Sequence, residues 1–589
     1  MVRKLAPSGL GAGMAIWRGV HPVLRLNELK LPLDHDPEAL SEAICRRLKI
    51  QPEQLLQQRV VKRSIDARRR SAIQLSYGVE LALEPELEQQ LLHRFRRDPH
   101  LQPAPDTTYQ APVQAPAPWI DGTIPRPVVV GAGPCGYFCA LLLAQMGLRP
   151  LLLERGKPVK ERTADTFGFW QGKRPFQPES NAQFGEGGAG TFSDGKLYSQ
   201  VRDPRHLGRK VLEELVAAGA NPEILVLAHP HIGTYKLATV VRGLRAQIEQ
   251  LGGEIRFQAR VDQLLLEPQT RRVIGVGLAD GSTIAAEQVV LALGHSARDS
   301  FTMLRDHGVA MERKPFSIGV RIEHPQPLID AARWGSCAGH PLLGAAEYKL
   351  VHHCSNGRCV YSFCMCPGGL VVGAASEPGG VVTNGMSQHS RNERNANSGI
   401  VVNVEPTDVE PYGAFPGDPL AGVAFQRHWE ARAFELGGGT FAAPAQRLGD
   451  FLAGRPSEEL GSVAPSYAPG VRLTDLSTAL PEDVIAALRE ALPAFNNTIA
   501  GYAMDDALLT GVETRTSSPI RLPRCSESAD NALQSVNTPG LYPAGEGAGY
   551  AGGILSAAID GIRVAEAVAI TLRRRWHPGE PGESACDRA

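Results

Sequence analysis

The run Val128-Val-Val-Gly-Ala-Gly-Pro-Cys-Gly136 constrains this chain more than any other segment. Three β-branched residues followed by glycines at 131, 133 and 136 predict a buried strand, a tight turn and the start of a helix. Gly131 would make the turn, Gly133 would let the backbone approach a pyrophosphate, and Gly136 would let the helix pack close to the sheet. A helix opening at Pro134 and Cys135 would aim its free N–H groups at the phosphates. The spacing alone is weak evidence, because it recurs at Gly185/187/190 and Gly547/549/552 and a tight turn in an unrelated α/β domain would also show it. Only the first copy also reaches a second strand, Leu148–Leu153, which ends in Glu154. A carboxylate there can accept both ribose hydroxyls of an adenosine, which favours FAD or NAD over NADP.

Two later segments decide for FAD. Gly540-Leu-Tyr-Pro-Ala-Gly-Glu-Gly-Ala-Gly-Tyr-Ala-Gly-Gly-Ile554 reads as a short strand, a glycine loop and the start of a helix over 554–570. A helix N-terminus at such a loop can stabilise negative charge on the N1/O2 edge of a reduced flavin. Val290-Leu-Ala-Leu-Gly-His-Ser-Ala297 is an apolar strand ending in a turn at Gly294, after a β-meander. Ala544-Gly545-Glu546 and Ala292-Leu293-Gly294 stand where the glutathione-reductase-type FAD superfamily carries Ala-Gly-Asp/Glu and Ala-Thr-Gly, with Leu293 a mild departure. The chain resembles that superfamily, and within it a group of bacterial FAD-dependent dehydrogenases. The shared stretches include LPLDHDPEAL from Leu31, NAQFGEGGAGTFSDGKL from Asn181, YSFCMCPGG from Tyr361 and GLYPAGEGAGYAGGILSAAIDG from Gly540. The resemblance covers nearly the whole chain. It implies FAD, held by Gly131, Gly133, Pro134, Cys135, Gly136, Glu154, Arg155, Gly187, Gly188, Val261, Gly294, Gly545, Glu546, Gly553 and Ile554. It implies no particular substrate.

A length of 589 residues predicts two or three domains. The expected class is α/β: a discontinuous Rossmann-like FAD-binding domain (126–310 and 531–573), with an inserted β-rich substrate or cap domain (311–530). Ahead of it a small α+β domain (23–98) reads as βαββα. Its strands are expected at 23–31, 59–65 and 73–83, the last alternating strictly as Ile73, Leu75, Tyr77, Val79, Leu81 and Leu83. Its helices are expected at 37–48 and from Pro85 to about Arg96. Residues 99–125, rich in Pro and Ala, read as a stiff linker. Disordered tails are expected at 1–22 and 574–589.

The reactive candidates lie elsewhere. Asn181–Lys196 approaches a P-loop at Gly190, Gly195 and Lys196, but Leu197 stands where Mg²⁺ binding needs Ser or Thr. A loop wrapping the flavin is the better reading, with Ser193, Asp194 and Lys196 offered to flavin or substrate. Cys354, Cys359, Cys364 and Cys366 form a cluster behind His352 and His353. Its spacing is poor for a metal, and none is expected. A flavin-linked disulfide at 354/359 or 359/364 competes with a plainer reading, in which Cys364 and Cys366 share one face of a strand near the substrate pocket. His295 is a candidate acid or base beside the flavin. Lys196, His295, Cys364 and Cys366 are therefore the catalytic candidates. The expected reaction passes a hydride between a small molecule and flavin N5, with a nicotinamide, oxygen or a protein as the electron partner.

Charge and composition narrow the partners. Lys+Arg 61 against Asp+Glu 62 leaves no overall field for nucleic acid or an anionic membrane. The local cluster Arg46–Arg70 keeps an RNA-binding reading open, although it lacks interleaved aromatics and is followed by Glu80, Glu84, Glu86 and Glu88. A flavoprotein acting as a sensor or assembly factor is the other alternative. No run of 18 apolar residues predicts a membrane span. A secretory signal is not expected in Met1–Trp17, and ten cysteines without a disulfide framework fit a reducing cytoplasm.

Overall fold

The computed structural model describes residues 24–115 and 125–576. The expected N-terminal tail, the secretory-signal reading, the 116–124 part of the linker and everything after Trp576 lie outside the described residues. Contacts divide the described residues into two compact units, one of residues 24–108 with 222–230 and 333–344, the other of the remainder.

The small unit is an α+β fold with one strand more than expected. An antiparallel sheet runs in the order Gln57–Asp66, Gln74–Ala82, Leu24–Pro32 and Leu101–Pro103. The helix Ala39–Leu48 buries Leu40, Ile44 and Leu48, which the i, i+4, i+8 spacing puts on one stripe. The fourth strand falls inside the expected linker and corrects it: Leu101 pairs with Leu26 and is buried. The strand Gln74–Ala82 also departs from expectation. Its alternation ends at Gly78, beyond which every residue is buried. One of these is Glu80, which takes an ion pair from Arg25 at 2.5 Å and another from Arg59. Lys30 and Arg68 pair with Asp66, Arg47 with Asp98 and Arg63 with Glu223, so much of the basic cluster is neutralised within this unit.

The large unit contains the sheet that the glycine motif predicts. Five parallel strands run in the order Leu541–Pro543, Val289–Leu291, Val128–Val130, Leu151–Leu153 and Glu254–Arg256. The first four are buried throughout, which is why they read as unbroken apolar triplets rather than as alternation. The helix Pro134–Gln145 covers the sheet and is buried on nearly every side. The last helix, Ile554–Trp576, crosses it where Gly561 has no side chain: a Cβ there would lie 2.3 Å from the Cys135 carbonyl oxygen. This helix continues past Arg573, so residues 574–576 are helical and not part of a tail. The meander Val261–Leu266, Val273–Leu278 and Thr283–Ala285 leads into the strand Val289–Leu291. Between Phe316 and Glu513 the chain builds a second, eight-stranded and mostly antiparallel sheet. Among the described residues no helix is long and apolar enough to cross a membrane.

Candidate functional site

Each glycine of the turn has a distinct surrounding. A Cβ on Gly131, which sits at φ +105°, would lie 2.3 Å from the Ala292 carbonyl oxygen, and one on Gly136 would lie 1.8 Å from the Gly131 oxygen. Both positions are closed by backbone. At Gly133 the nearest atom is the Gly188 Cα at 3.9 Å, an ordinary contact that a Cβ would not strain. Gly133 caps the helix Pro134–Gln145 and offers no side chain to its N–H groups. This is the donor arrangement that an anion takes.

Glu154 ends the next strand and is buried. Its Oε2 accepts from Ala132 N at 2.8 Å, and its Oε1 accepts from Gly156 N at 2.8 Å and Gly185 N at 3.0 Å. Three of a carboxylate's roughly four acceptor sites are therefore in use. About one is left for a ribose hydroxyl, not the two that the sequence suggests. The Glu154 carbonyl accepts from Ala259 N at 2.9 Å, which brings Val261, two residues on, to the same end of the turn. Arg155 stacks over Phe184 at 4.1 Å and is held by Glu179 and Asp299.

The loop 181–196 is shaped by a residue that the sequence does not advertise. Arg162, on the helix Val159–Trp170, has no exposed surface. It donates to the carbonyl oxygens of Asn181, Ala182, Gly185, Glu186 and Gly188 at 2.7–3.1 Å. Burial pushes its pKa down to about 10, against Glu154 and Glu186, so it remains a cation at neutral pH. Gly185 leaves room for it: a Cβ there would lie 2.4 Å from the Arg162 Cδ. From this anchor the loop passes Gly133 at Gly188 and the last helix at Gly190, whose Cβ would lie 3.0 Å from Ile554.

Gly294, Gly545 and Glu546 meet at the same C-terminal edge of the sheet, after the two strands that lie on the other side of Val128–Val130 from Glu154. Gly547 would clash with the Gly294 carbonyl oxygen at 2.5 Å if it carried a Cβ, and Gly545 with Cys135 at 2.8 Å. Gly294 and Gly552 have nothing within 4 Å, and Gly553 only the Ser556 hydroxyl at 4.0 Å. Here the backbone faces open space at a helix N-terminus. His295 Nδ1 lies 2.9 Å from Glu546 Oε1, while its buried Nε2 has no hydrogen-bond partner. The open glycines and this orphaned nitrogen fit a bound polar cofactor.

Of the four catalytic candidates, the structure brings three together and leaves His295 apart. Lys196 donates to the Met365 carbonyl oxygen and faces Glu347 at 3.4 Å and Asp194 at 4.0 Å. Burial disfavours its charge, but Glu347, Tyr198, Asp194 and Cys366 outweigh that and push its pKa up, which favours the ammonium form. Asp194 is also held by Arg391, through Nε at 3.0 Å. Cys364 and Cys366 lie on the strand Cys359–Gly373, but not in regular alternation. Pairing jumps from Phe363–Gly399 to Cys366–Asn397, and Cys364 takes φ +46°. The expected shared strand face is thus a bulge. Arg321, fully buried, spends its five donors here: on Glu513 at 2.7 and 3.0 Å, Cys364 O at 2.9 Å, and Asn397 and Asn384 at 3.0 Å.

The other cysteine pairings fare differently. Cys359 and Cys364 are five residues apart on one strand, about 16 Å at 3.3 Å per residue, too far for a disulfide. The Cys354 thiol donates to Ala487 O at 3.5 Å and shares a region with His352 and Glu490, whose oxygens already take the Ser355 N–H and hydroxyl. A second buried charge network ties the Gly294 turn to the inserted sheet. Glu430 accepts from Arg298 at 2.7 and 2.9 Å and from Arg515 at 2.9 and 3.1 Å, and Arg515 reaches Ser296 at 3.0 Å. Nothing in the spacing of Arg298, Glu430 and Arg515 announces this network.

Three family profiles match the chain: a domain of unknown function over residues 23–82, pyridine nucleotide-disulphide oxidoreductase over 125–310, and FAD-dependent protein, C-terminal domain-like, over 315–516. An uncharacterized protein of Clostridium beijerinckii is 45% identical over 546 residues, spanning 92% of this chain and 98% of that protein. Among solved structures, the glycerol-3-phosphate dehydrogenase of Bacillus halodurans complexed with FAD is 11% identical over 78% of this chain and 67% of its own, with a TM-score of 0.33. A 3-ketosteroid dehydrogenase of Rhodococcus jostii is 14% identical over 78% of this chain and 99% of its own, with a TM-score of 0.30. These last two likenesses are too weak to carry over an activity.

Proposed function

The chain belongs to the FAD-dependent oxidoreductase family that includes the Clostridium beijerinckii protein, and on that premise we propose that it moves a hydride between a small-molecule substrate and the flavin. FAD, when bound, supplies the two-electron chemistry at N5. The chain's own residues bind and orient it. Gly131, Gly133, Pro134, Cys135 and Gly136 would hold the pyrophosphate, with Gly187 and Gly188 packed beside Gly133. Glu154 would take a ribose hydroxyl, and Arg155 and Val261 would flank the adenosine. Gly294, Gly545, Glu546, Gly553 and Ile554 would hold the flavin end, where the helix N-terminus favours negative charge.

The observation that carries this reading is the course of one segment. It touches the pyrophosphate turn at Gly188 and the last helix at Gly190, then ends at Lys196 beside the Cys364–Cys366 bulge. This supports a reaction chamber walled by the inserted region 311–530, with Lys196 as a hydrogen-bond donor to substrate and His295 Nε2 as a second polar contact. The electron partner would be a nicotinamide sharing the chamber or another protein. Anaerobic addition of NADH, NADPH and a panel of metabolites to the holoprotein tests the reading. Rapid bleaching of the flavin by one of them is expected; a flavin that no member of the panel reduces contradicts it.

A further inference from the structure

A hairpin at the edge of the large sheet docks on a helix, and the contact gathers three metal-ligating side chains that hydride transfer leaves unused. The strand Val351–His353 turns through residues 354–358 into the strand Cys359–Gly373. Cys354 N donates to Arg358 O at 2.8 Å and Gly357 N to Cys354 O at 3.0 Å, which closes the turn. The turn lies along the helix Glu482–Phe495. Arg358 pairs with the Asp483 carboxylate at 2.5 Å, and the Asn356 amide donates to the Asp483 carbonyl oxygen at 3.3 Å. The Cys354 thiol donates to Ala487 O at 3.5 Å. Ser355 donates to Glu490 through its N–H at 2.9 and 3.1 Å and through its hydroxyl at 2.6 Å. Residues 483, 487 and 490 follow the i, i+4, i+7 spacing of one helix face.

Three ligand atoms of different kinds converge there. His352 Nε2, Cys354 Sγ and a Glu490 carboxylate oxygen lie within 4.8 Å of one another, and His352 Nε2 is 3.3 Å from Glu490 Oε1. Four-coordinate zinc, with bonds of about 2.0–2.3 Å, holds its ligand atoms about 3.3–3.8 Å apart. The nitrogen and the carboxylate already stand at that separation, and the sulfur reaches it by a side-chain movement of about 1 Å. The His352 and Glu490 side chains are 29% and 37% exposed, whereas Cys354 is buried, so the group is closed on the protein side and open to water on the other. Ser355 holds the carboxylate in place, and among the described residues no lysine or arginine lies within 4.0 Å of it. Spacing along the chain supplies only His352 and Cys354. The third ligand comes from a helix far along the sequence, which is why the cysteine cluster alone reads as poor for a metal.

We infer that His352, Cys354 and Glu490 bind one zinc ion, with water as the fourth ligand. Imidazole, thiolate and carboxylate form a nitrogen, sulfur and oxygen set that suits zinc, whereas magnesium and calcium take oxygen ligands. On binding, His352 offers the Nε2 lone pair, Glu490 offers Oε1, and the Cys354 thiol gives its proton to solvent as the thiolate bonds the metal. Nothing is oxidised or reduced. The ion pins the hairpin turn to the helix, where the long contact from Cys354 to Ala487 O otherwise stands, and its binding energy adds to the stability of the folded state. The site stands apart from the hydride reading, because zinc uptake is measured whether or not any metabolite reduces the flavin.

The test strips the full-length holoprotein with EDTA and titrates it with Zn²⁺ against a chromophoric chelator, then with Co²⁺ by absorbance. The expected result is one tight zinc site per chain. The Co²⁺ form should show thiolate-to-metal charge transfer, with d–d bands at wavelengths longer than the flavin absorbs. His352→Ala, on the edge strand of the sheet, and Cys354→Ala should each weaken zinc binding by about a hundredfold or more, and Ser355→Ala by about tenfold. Cys359→Ala should change nothing, and all four variants should keep the parent's flavin absorbance. The inference is overturned if the parent binds zinc no more tightly than His352→Ala and Cys354→Ala do, or if the Co²⁺ form shows no thiolate charge transfer. Tight zinc binding that Cys364→Ala abolishes would put the ion elsewhere and overturn it equally.

Discussion

Around Gly131 and Gly136 the chain holds its shape by leaving atoms out, whereas around Arg321 and Glu430 it does so by burying charges in matched sets. In the first region the tolerances are steric: backbone oxygens sit 1.8–2.3 Å from where a Cβ would be. In the second they are electrostatic, since Arg321 and Glu513 are 0% and 1% exposed and neither charge could stand there alone. The difference predicts two modes of failure. A methyl group should wreck the first region, and the loss of one partner should wreck the second.

The largest effect is expected at Gly136→Ala. Overpacking against the Gly131 oxygen should cost about 3 kcal/mol or more and abolish soluble, flavin-loaded protein. Gly561→Ala, 2.3 Å from the Cys135 oxygen, should behave alike. Expression and flavin absorbance check both, and a yellow, parent-like Gly136→Ala would break the steric half of the comparison. Next comes Arg321→Met, which strands the Glu513 carboxylate and should cost about 3–5 kcal/mol in denaturant unfolding. The double variant Arg321→Met/Glu513→Leu should recover most of that, and a double variant no better than the single would deny the pairing.

Glu154→Gln is expected to cost less, about 1–3 kcal/mol, because its amide can no longer accept all three backbone N–H groups. The loss should show as weaker FAD binding in a titration of the apoprotein. The smallest effect near neutral pH is the acid response of Glu430. Burial raises its pKa, but Arg298 and Arg515 outweigh that and hold it well below the usual carboxylate range. A depressed folded pKa gives stability that is complete above the unfolded value, about 4.3, and is lost as pH falls through the folded value. Hydrogen exchange below about pH 4 should therefore quicken at the strand Leu508–Glu513 before it does at Val128–Val130. Simultaneous opening would erase the contrast between the regions.

The same contrast explains what could be read from the sequence. Backbone constraints leave glycines at fixed spacing beside apolar triplets, so the turn, the parallel strands and the closing helix were all legible from 128–154 and 540–570. The buried charge sets leave no local trace. Arg298, Glu430 and Arg515 come from three distant segments, and nothing in the local pattern marks Arg162, although it holds the loop 181–188. Lys196 and the paired cysteines were legible as residue types, but their meeting was not. It depends on a register shift between strands some 30 residues apart, and local periodicity carries no information about such a shift. The fourth strand of the small unit was missed because Pro103 and Pro105 mark a linker, while pairing with Leu24–Leu26 overrides that cue.

The claim that the pyrophosphate of FAD lies against Gly133 is tested most directly by Gly133→Ala. With 3.9 Å to the nearest protein atom, the methyl group should leave the fold intact, and it would occupy only the space that the cofactor needs. Calorimetric titration of FAD into the apoprotein should give one FAD per chain for the parent. For Gly133→Ala the account predicts affinity weakened by about tenfold or more, roughly 1.4 kcal/mol, with an unchanged melting temperature of the apoprotein. FAD binding to Gly133→Ala as tight as to the parent would contradict it.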